Sequence, residues 1–363
     1  MRTKHMLSLV VAGLLLAAAH SADAAAPTWA NYLRFDTMTT AQGLPSDKVL
    51  SVVDQGDRIW AGTEGGLALI EGGVVRKTFG TGDGLPFPVV SALAVAPTGD
   101  LWVGTLGGLA RYSAGHFEKF TQLDSGLAND VIYGLAVEGP IVWVATAAGL
   151  SRYDTGTRVW SIFDTTNTLM HEPWCYAVTA RDHMVYTAVW GSGVIVRDDR
   201  TGQFWEHRDP DKELEIDLFK NDGLIHDVSS AIAYDNGVMW VGSYFGLSRY
   251  DGHAWRTFTG EDSPMAGSFV TFLAARGDVV WIVTDQGFSR FDSTRWSTWH
   301  ETADHKGFEV REVGADGVVM RTPLGAGAGP RTGMSYGITV DRNGGLWVAT
   351  ASGLSHSVPA GGK

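Results

Sequence analysis

The chain has 363 residues, 44% of them hydrophobic and 19% charged, with 46 glycines and 14 tryptophans. That apolar share supports a sizeable core and excludes wholesale disorder. A single cysteine, Cys175, excludes an intrachain disulfide, a cysteine-based zinc cluster and a CxxCH haem attachment. The balance of 28 Lys+Arg against 40 Asp+Glu has the wrong sign for neutralising phosphates, so no nucleic acid partner is expected.

Residues 1–24 read as a cleaved secretory signal. Arg2 and Lys4 precede the apolar run Leu7 to Ala19, and Ala22-Asp23-Ala24 forms an A-x-A-type cleavage site. The run is too short to cross the ~30 Å of bilayer hydrocarbon, and no later stretch would span as a helix. Residues 25–363 are therefore expected to form one exported domain, periplasmic or secreted, with no membrane span after cleavage.

One phrase then recurs: Ile59-Trp60-Ala61-Gly62-Thr63, Leu101-Trp102-Val103-Gly104-Thr105, Val142-Trp143-Val144-Ala145-Thr146, Met239-Trp240-Val241-Gly242-Ser243, Val280-Trp281-Ile282-Val283-Thr284 and Leu346-Trp347-Val348-Ala349-Thr350. Val185-Tyr186-Thr187-Ala188-Val189 is a degenerate fourth copy. Successive aromatic anchors stand 42, 41, 43, 54, 41 and 66 residues apart, the period of propeller blades with two insertions. Each unit reads as four short strands with period-2 alternation, bounded by Gly, Asp and Asn. Asp251-Gly252 carries a two-residue hairpin signal. Small residues after the anchor (Gly62, Gly104, Ala145, Gly242, Ala349) leave room for neighbouring sheets, and the indole fills the wedge between them.

The fold predicted is all-β: a seven-bladed β-propeller of four-stranded blades. The seventh unit supplies only three strands, and Asn31 to Phe35 aligns with the outermost strand of another unit. An N-terminal strand is expected to complete the last blade and remove the open seam.

The units WVGTLGGLARY, WVATAAGLSRYD and WVGSYFGLSRYDG, each followed by an aromatic edge strand and a Gly-Leu exit, resemble the two-component regulator propeller repeat. The resemblance covers nearly all of residues 25–363 and implies an exported seven-bladed sensor domain that recognises carbohydrates or other small ligands. Such domains are typically fused to histidine kinases or other regulators, and no kinase or DNA-binding pattern accompanies the repeats here.

A propeller presents ligands on the face made by loops leading into the innermost strands and by turns between second and third strands. Units four and five differ from their siblings there, placing His171, Glu172, Trp174 and Trp190 beside His226, Asp227, Tyr244 and Phe245. Aromatic rings next to carboxylates and imidazoles suit a saccharide or another amphipathic ligand. Asp285 and Tyr336 are the corresponding candidates in units six and seven. His171 and His226 are also weak candidate ligands for a divalent metal, with Glu172 and Asp227 as partners; no other cofactor is predicted.

Two insertions complete the reading. Near 206–222, Asp209, Asp211, Glu213, Glu215 and Asp217 occupy alternate positions; without the EF-hand glycine and bidentate glutamate, this reads as a solvated acidic loop. Residues 300–333 hold a hairpin, Phe308–Arg311 to Val318–Arg321, and both insertions are expected to overhang the central face. The functional reading is a non-enzymatic, sensor-like module that binds a small molecule or docks an envelope protein. The alternatives are a metal-assisted lyase- or hydrolase-like enzyme using His and Glu on the central face, and a structural scaffold.

Overall fold

Seven antiparallel sheets follow one another along the chain, with no α-helix among the described residues. They come from a computed structural model that describes residues 32–211, 219–304, 306–325 and 327–357. The leader segment 1–24 and most of the acidic alternation lie outside those residues. In blade one, strands Val49–Gln55, Arg58–Thr63, Gly66–Glu71 and Val74–Phe79 lie side by side in chain order, and the later blades repeat the plan.

The repeat's physical purpose is visible at each wedge. Trp60, Trp102 and Trp143 are each 1% exposed on the second strand of their blades, and Tyr186 stands in at 9%. Each anchor packs into the following blade. Trp60 lies with Leu101 and Val103, Trp102 with Val142 and Val144, and Trp240 with Val280 and Ile282. Trp347 of blade seven joins Ile59 and Ala61 of blade one, so the ring closes through side chains as well as strands. Seven apolar clusters thus fill seven wedges, in place of one central core.

The small residue two places after the anchor sets the spacing. A Cβ on Gly104 would lie 2.6 Å from Ile132 Cγ2, and one on Gly242 would lie 2.4 Å from Val270 Cγ1. Real side chains do not approach so closely, so the next blade's first strand rests directly on these glycines. Gly104→Val is expected to destabilise the protein by roughly 1–3 kcal/mol through overpacking. A denaturant midpoint unchanged from wild type would overturn this account.

The seam is closed by Asp36–Met38, which pairs with Gly353–Ser357 in the register Asp36↔His356 and Met38↔Leu354. This corrects the expected strand at Asn31 to Phe35. Met38 stands before Gly43-Leu44 at the same interval as Phe79 before Gly84-Leu85, and it opposes Leu354 as Phe79 opposes Leu67. Tyr32 and Phe35 do something else: both are buried against blade six. The Tyr32 ring meets Trp281 and Trp299 edge to face at 5.9 and 6.2 Å, and Trp299 Nε1 donates to Tyr32 O at 2.8 Å.

The second insertion explains that contact. Phe308–Val313 and Val319–Pro323 form the predicted hairpin, but they pair onto Trp296–Glu301 and extend blade six to six strands at the rim. They do not overhang the central face, because the exposed edge of an outermost strand is where a hairpin finds backbone partners. From there Phe308, Leu324 and Ala328 close over the N-terminal segment, and Phe35 N–H donates to Ala328 O at 2.7 Å. The Asp251-Gly252 hairpin is also longer than expected: its outer strand starts at Trp255, and Asp251 caps the loop by accepting from the backbone of His253 and Ala254.

Candidate functional site

Every innermost strand carries a β-bulge at the same point, one residue after its first. The bulged residues are Leu50, Ser91, Tyr133, Tyr176, Ser230, Thr271 and Tyr336, and all seven line a central cavity of about 280 Å³. A bulge re-aims its side chain out of the ladder. Where it is Ser or Thr, the hydroxyl ties the next blade: Ser91 Oγ donates to Ile132 O and Ser230 Oγ to Val270 O, both at 2.6 Å, and Thr271 Oγ1 to Ser335 O at 2.8 Å. A tyrosine cannot make that short bridge, so Tyr133, Tyr176 and Tyr336 put rings at the mouth instead.

Tyr133 and Tyr176 start an aromatic arc across four blades. Tyr133 stacks on Tyr176 at 4.9 Å, and Tyr176 leans on Trp190 at 5.7 Å. Trp190 meets Trp174 at 6.3 Å and Tyr244 at 5.3 Å, both edge to face, and Tyr244 meets Phe269 at 4.2 Å. Trp190 N–H donates to Trp174 O at 3.0 Å, which ties the turn to the loop below it. Trp174 and Tyr244 remain exposed, at 47% and 37%. Of the predicted residues the structure joins Trp174, Trp190 and Tyr244. Sequence reasoning missed Tyr133, Tyr176 and Phe269, although the first two occupy the same repeat column as Tyr336.

Burial pushes the Tyr176 phenol up to about 12, with Tyr244 and Tyr133 adding to the shift; burial also raises Tyr244. The unfolded chain ionises near the ordinary 10.0. Between that pH and about 12 the unfolded state loses its proton first, so stability is intact below the window and falls as pH rises through it. Tyr176→Phe is expected to flatten this alkaline fall in melting temperature. An identical pH profile in the variant would refute it.

The polar candidates divide. Asp227 accepts from Arg208 Nη2 at 2.6 Å and Nε at 3.0 Å, and Arg208 Nη1 lies 3.1 Å from His171 Nε2. Arg208 was not anticipated, because nothing in local spacing links it to a histidine 37 residues earlier. His171 and Glu172 are exposed, with their backbone N–H groups on Ser192 Oγ at 2.9 and 3.2 Å. His226 is buried, its Nδ1 accepting from Val228 N–H at 2.8 Å and its ring 4.4 Å from Phe245. Asn129 makes the same turn with Val131 and Ser46 with Lys48, so His226 fills a structural capping position.

Asp285 lies beside Phe269, donating its N–H to Phe269 O at 3.3 Å. Its Oδ1 is buried without a hydrogen-bond partner among the described residues, and burial raises its carboxyl pKa. Tyr336 sits across the mouth under Lys48, which pairs with Glu64 at 2.7 Å. Cys175 is fully buried and its thiol pKa is raised by that burial, so it serves as a small apolar residue. The His171–His226 pair does not offer a metal donor set: one ring faces a guanidinium, the other caps a turn. Among the described residues no group of three His, Cys, Asp or Glu converges. Asp209 is buried, its N–H on Asp227 Oδ1 at 2.8 Å, so the acidic alternation does not begin as a solvated edge.

No family model and no curated protein matches the chain. Among solved structures, extracellular domains assigned to two hybrid two component systems of B. thetaiotaomicron superpose with TM-scores of 0.68 and 0.66, each at 17% identity over 90% of this chain. The chain spans 42% and 40% of the length of those proteins. Virginiamycin B lyase from Staphylococcus aureus superposes with a TM-score of 0.60 at 13% identity, covering 90% of this chain and 98% of the lyase. Likeness at this identity concerns architecture, and the chain thus has the seven-bladed propeller fold found both in sensor extracellular domains and in a lyase.

Proposed function

We propose that this chain is an exported, non-enzymatic module that captures a small ligand, a saccharide among the first to test, at its aromatic mouth. The observation that carries the reading is the arc from Tyr133 to Phe269, concentrated at positions where the other blades carry mostly non-aromatic residues. Half-exposed rings flanked by polar tips bury a ligand's apolar faces while orienting its hydroxyls. Fold likeness to sensor domains fits this use, and export rests on the reading of residues 1–24. Catalysis by the two histidines has less support: His226 spends its Nδ1 on the backbone and His171 faces Arg208.

Tryptophan fluorescence titrated with a panel of oligosaccharides and small amphipathic solutes tests the reading. A saturable change in the wild type that Trp190→Ala weakens by about tenfold or more is expected, since a centrally buried aromatic anchor carries a large share of binding energy. A panel that leaves every ring signal unmoved would overturn it, and would point to an envelope protein as the partner instead.

A further inference from the structure

The three rings at the centre of the arc do not form a flat platform. Trp174 and Tyr244 stand at 68° and 80° to Trp190, so the three ring planes are set steeply to one another. A pyranose stacks on one flat face, whereas faces set at steep angles fit a compact, rounded group touched from several sides. The charges sharpen the choice. Arg208, which reaches Gly191 O beside Trp190, is already matched by Asp227, and Lys48, across the mouth over Tyr336, by Glu64. Glu172 and Asp285 take part in no ion pair among the described residues, and the whole chain carries a net charge of −12. We infer that the angled ring cluster of Trp174, Trp190 and Tyr244 takes a small organic cation with a methylated ammonium head. The inference rests on the reading of the mouth as a ligand site and names the chemistry of that ligand.

The physical basis is the negative face of each ring's quadrupole, which attracts a cation that is weakly hydrated and therefore cheap to desolvate. Glu172, on the exposed loop just before Trp174, adds a long-range attraction that salt weakens.

Choline and its uncharged carbon isostere, 3,3-dimethylbutan-1-ol, form the decisive pair of probes, each titrated calorimetrically into the mature protein. Choline should bind saturably and the isostere about tenfold more weakly, because the two share shape and differ in charge. Trp174→Leu removes a wall at an exposed site where folding is not at risk, and it should weaken choline several-fold. Glu172→Gln should weaken choline more at low salt than at high salt. Equal affinity for the two probes would overturn the inference, as would a neutral saccharide that saturates the rings and is not displaced by choline; the second result leaves the ligand-binding reading standing. If neither choline nor any saccharide perturbs the rings, both fall together.

Discussion

Trp102→Ala is expected to cost about 3–5 kcal/mol of unfolding free energy, the range for deleting a fully buried large aromatic. The indole is 1% exposed and touches Phe120 at 5.8 Å and Tyr153 at 5.9 Å, with the Arg111 guanidinium 5.9 Å from its ring centre. Those partners belong to two blades, so the cavity left behind is walled by separate sheets. Neither sheet can collapse into it without moving off its other neighbour, which puts the cost toward the upper end of the range. Trp174→Ala is the control: an equally large deletion at a half-exposed ring should cost little stability. Urea unfolding of both variants measures the contrast, and similar midpoints would show that the repeated tryptophans do not brace the wedges.

The wedge pattern was legible because it repeats: an anchor followed by a small residue at each blade has one physical use, and the structure puts it to that use. The bulge column repeats just as regularly. Leu50, Ser91, Tyr133, Tyr176, Ser230, Thr271 and Tyr336 align in the repeats, but a bulge cannot be seen from alternation alone, so Tyr133 and Tyr176 read as ordinary strand residues. His226 misled in the opposite way. Its chemistry suggested a ligand, yet its position is the one where Asn129 and Ser46 cap their loops, and position outweighs residue type. The blade-six hairpin was predicted in place; which edge it would join was not, since strand patterns carry no record of lateral partners. Closure was read correctly in kind and a few residues early in register, because aromatic similarity at Phe35 outweighed the interval to Gly43-Leu44.

That misplacement directs attention to Tyr32. Tyr32→Ala should cost about 3–5 kcal/mol, and the loss should be felt in blade seven as well as blade six. The ring packs edge to face against both Trp281 and Trp299, while its hydroxyl donates to Gly344 O at 2.9 Å in the turn of blade seven. Two residues beyond Phe35, Thr37 pairs with Ser355 and shares a hydroxyl contact with it at 2.9 Å. Only three residues, Asp36–Met38, make the closing strand, too few to hold a seam by ladder bonds alone, since each nets about 1 kcal/mol. The buried rings upstream must therefore supply much of the anchorage. Tyr32→Phe keeps the ring and loses only the bond to Gly344, about 1 kcal/mol. Hydrogen exchange separates the cases: in Tyr32→Ala the amides of Gly353–Ser357 should exchange faster while those of blade three do not, and the bared edge should promote association. Uniformly faster exchange through all seven blades would mean that the N-terminal rings stabilise the ring as a whole and do not act as a local latch.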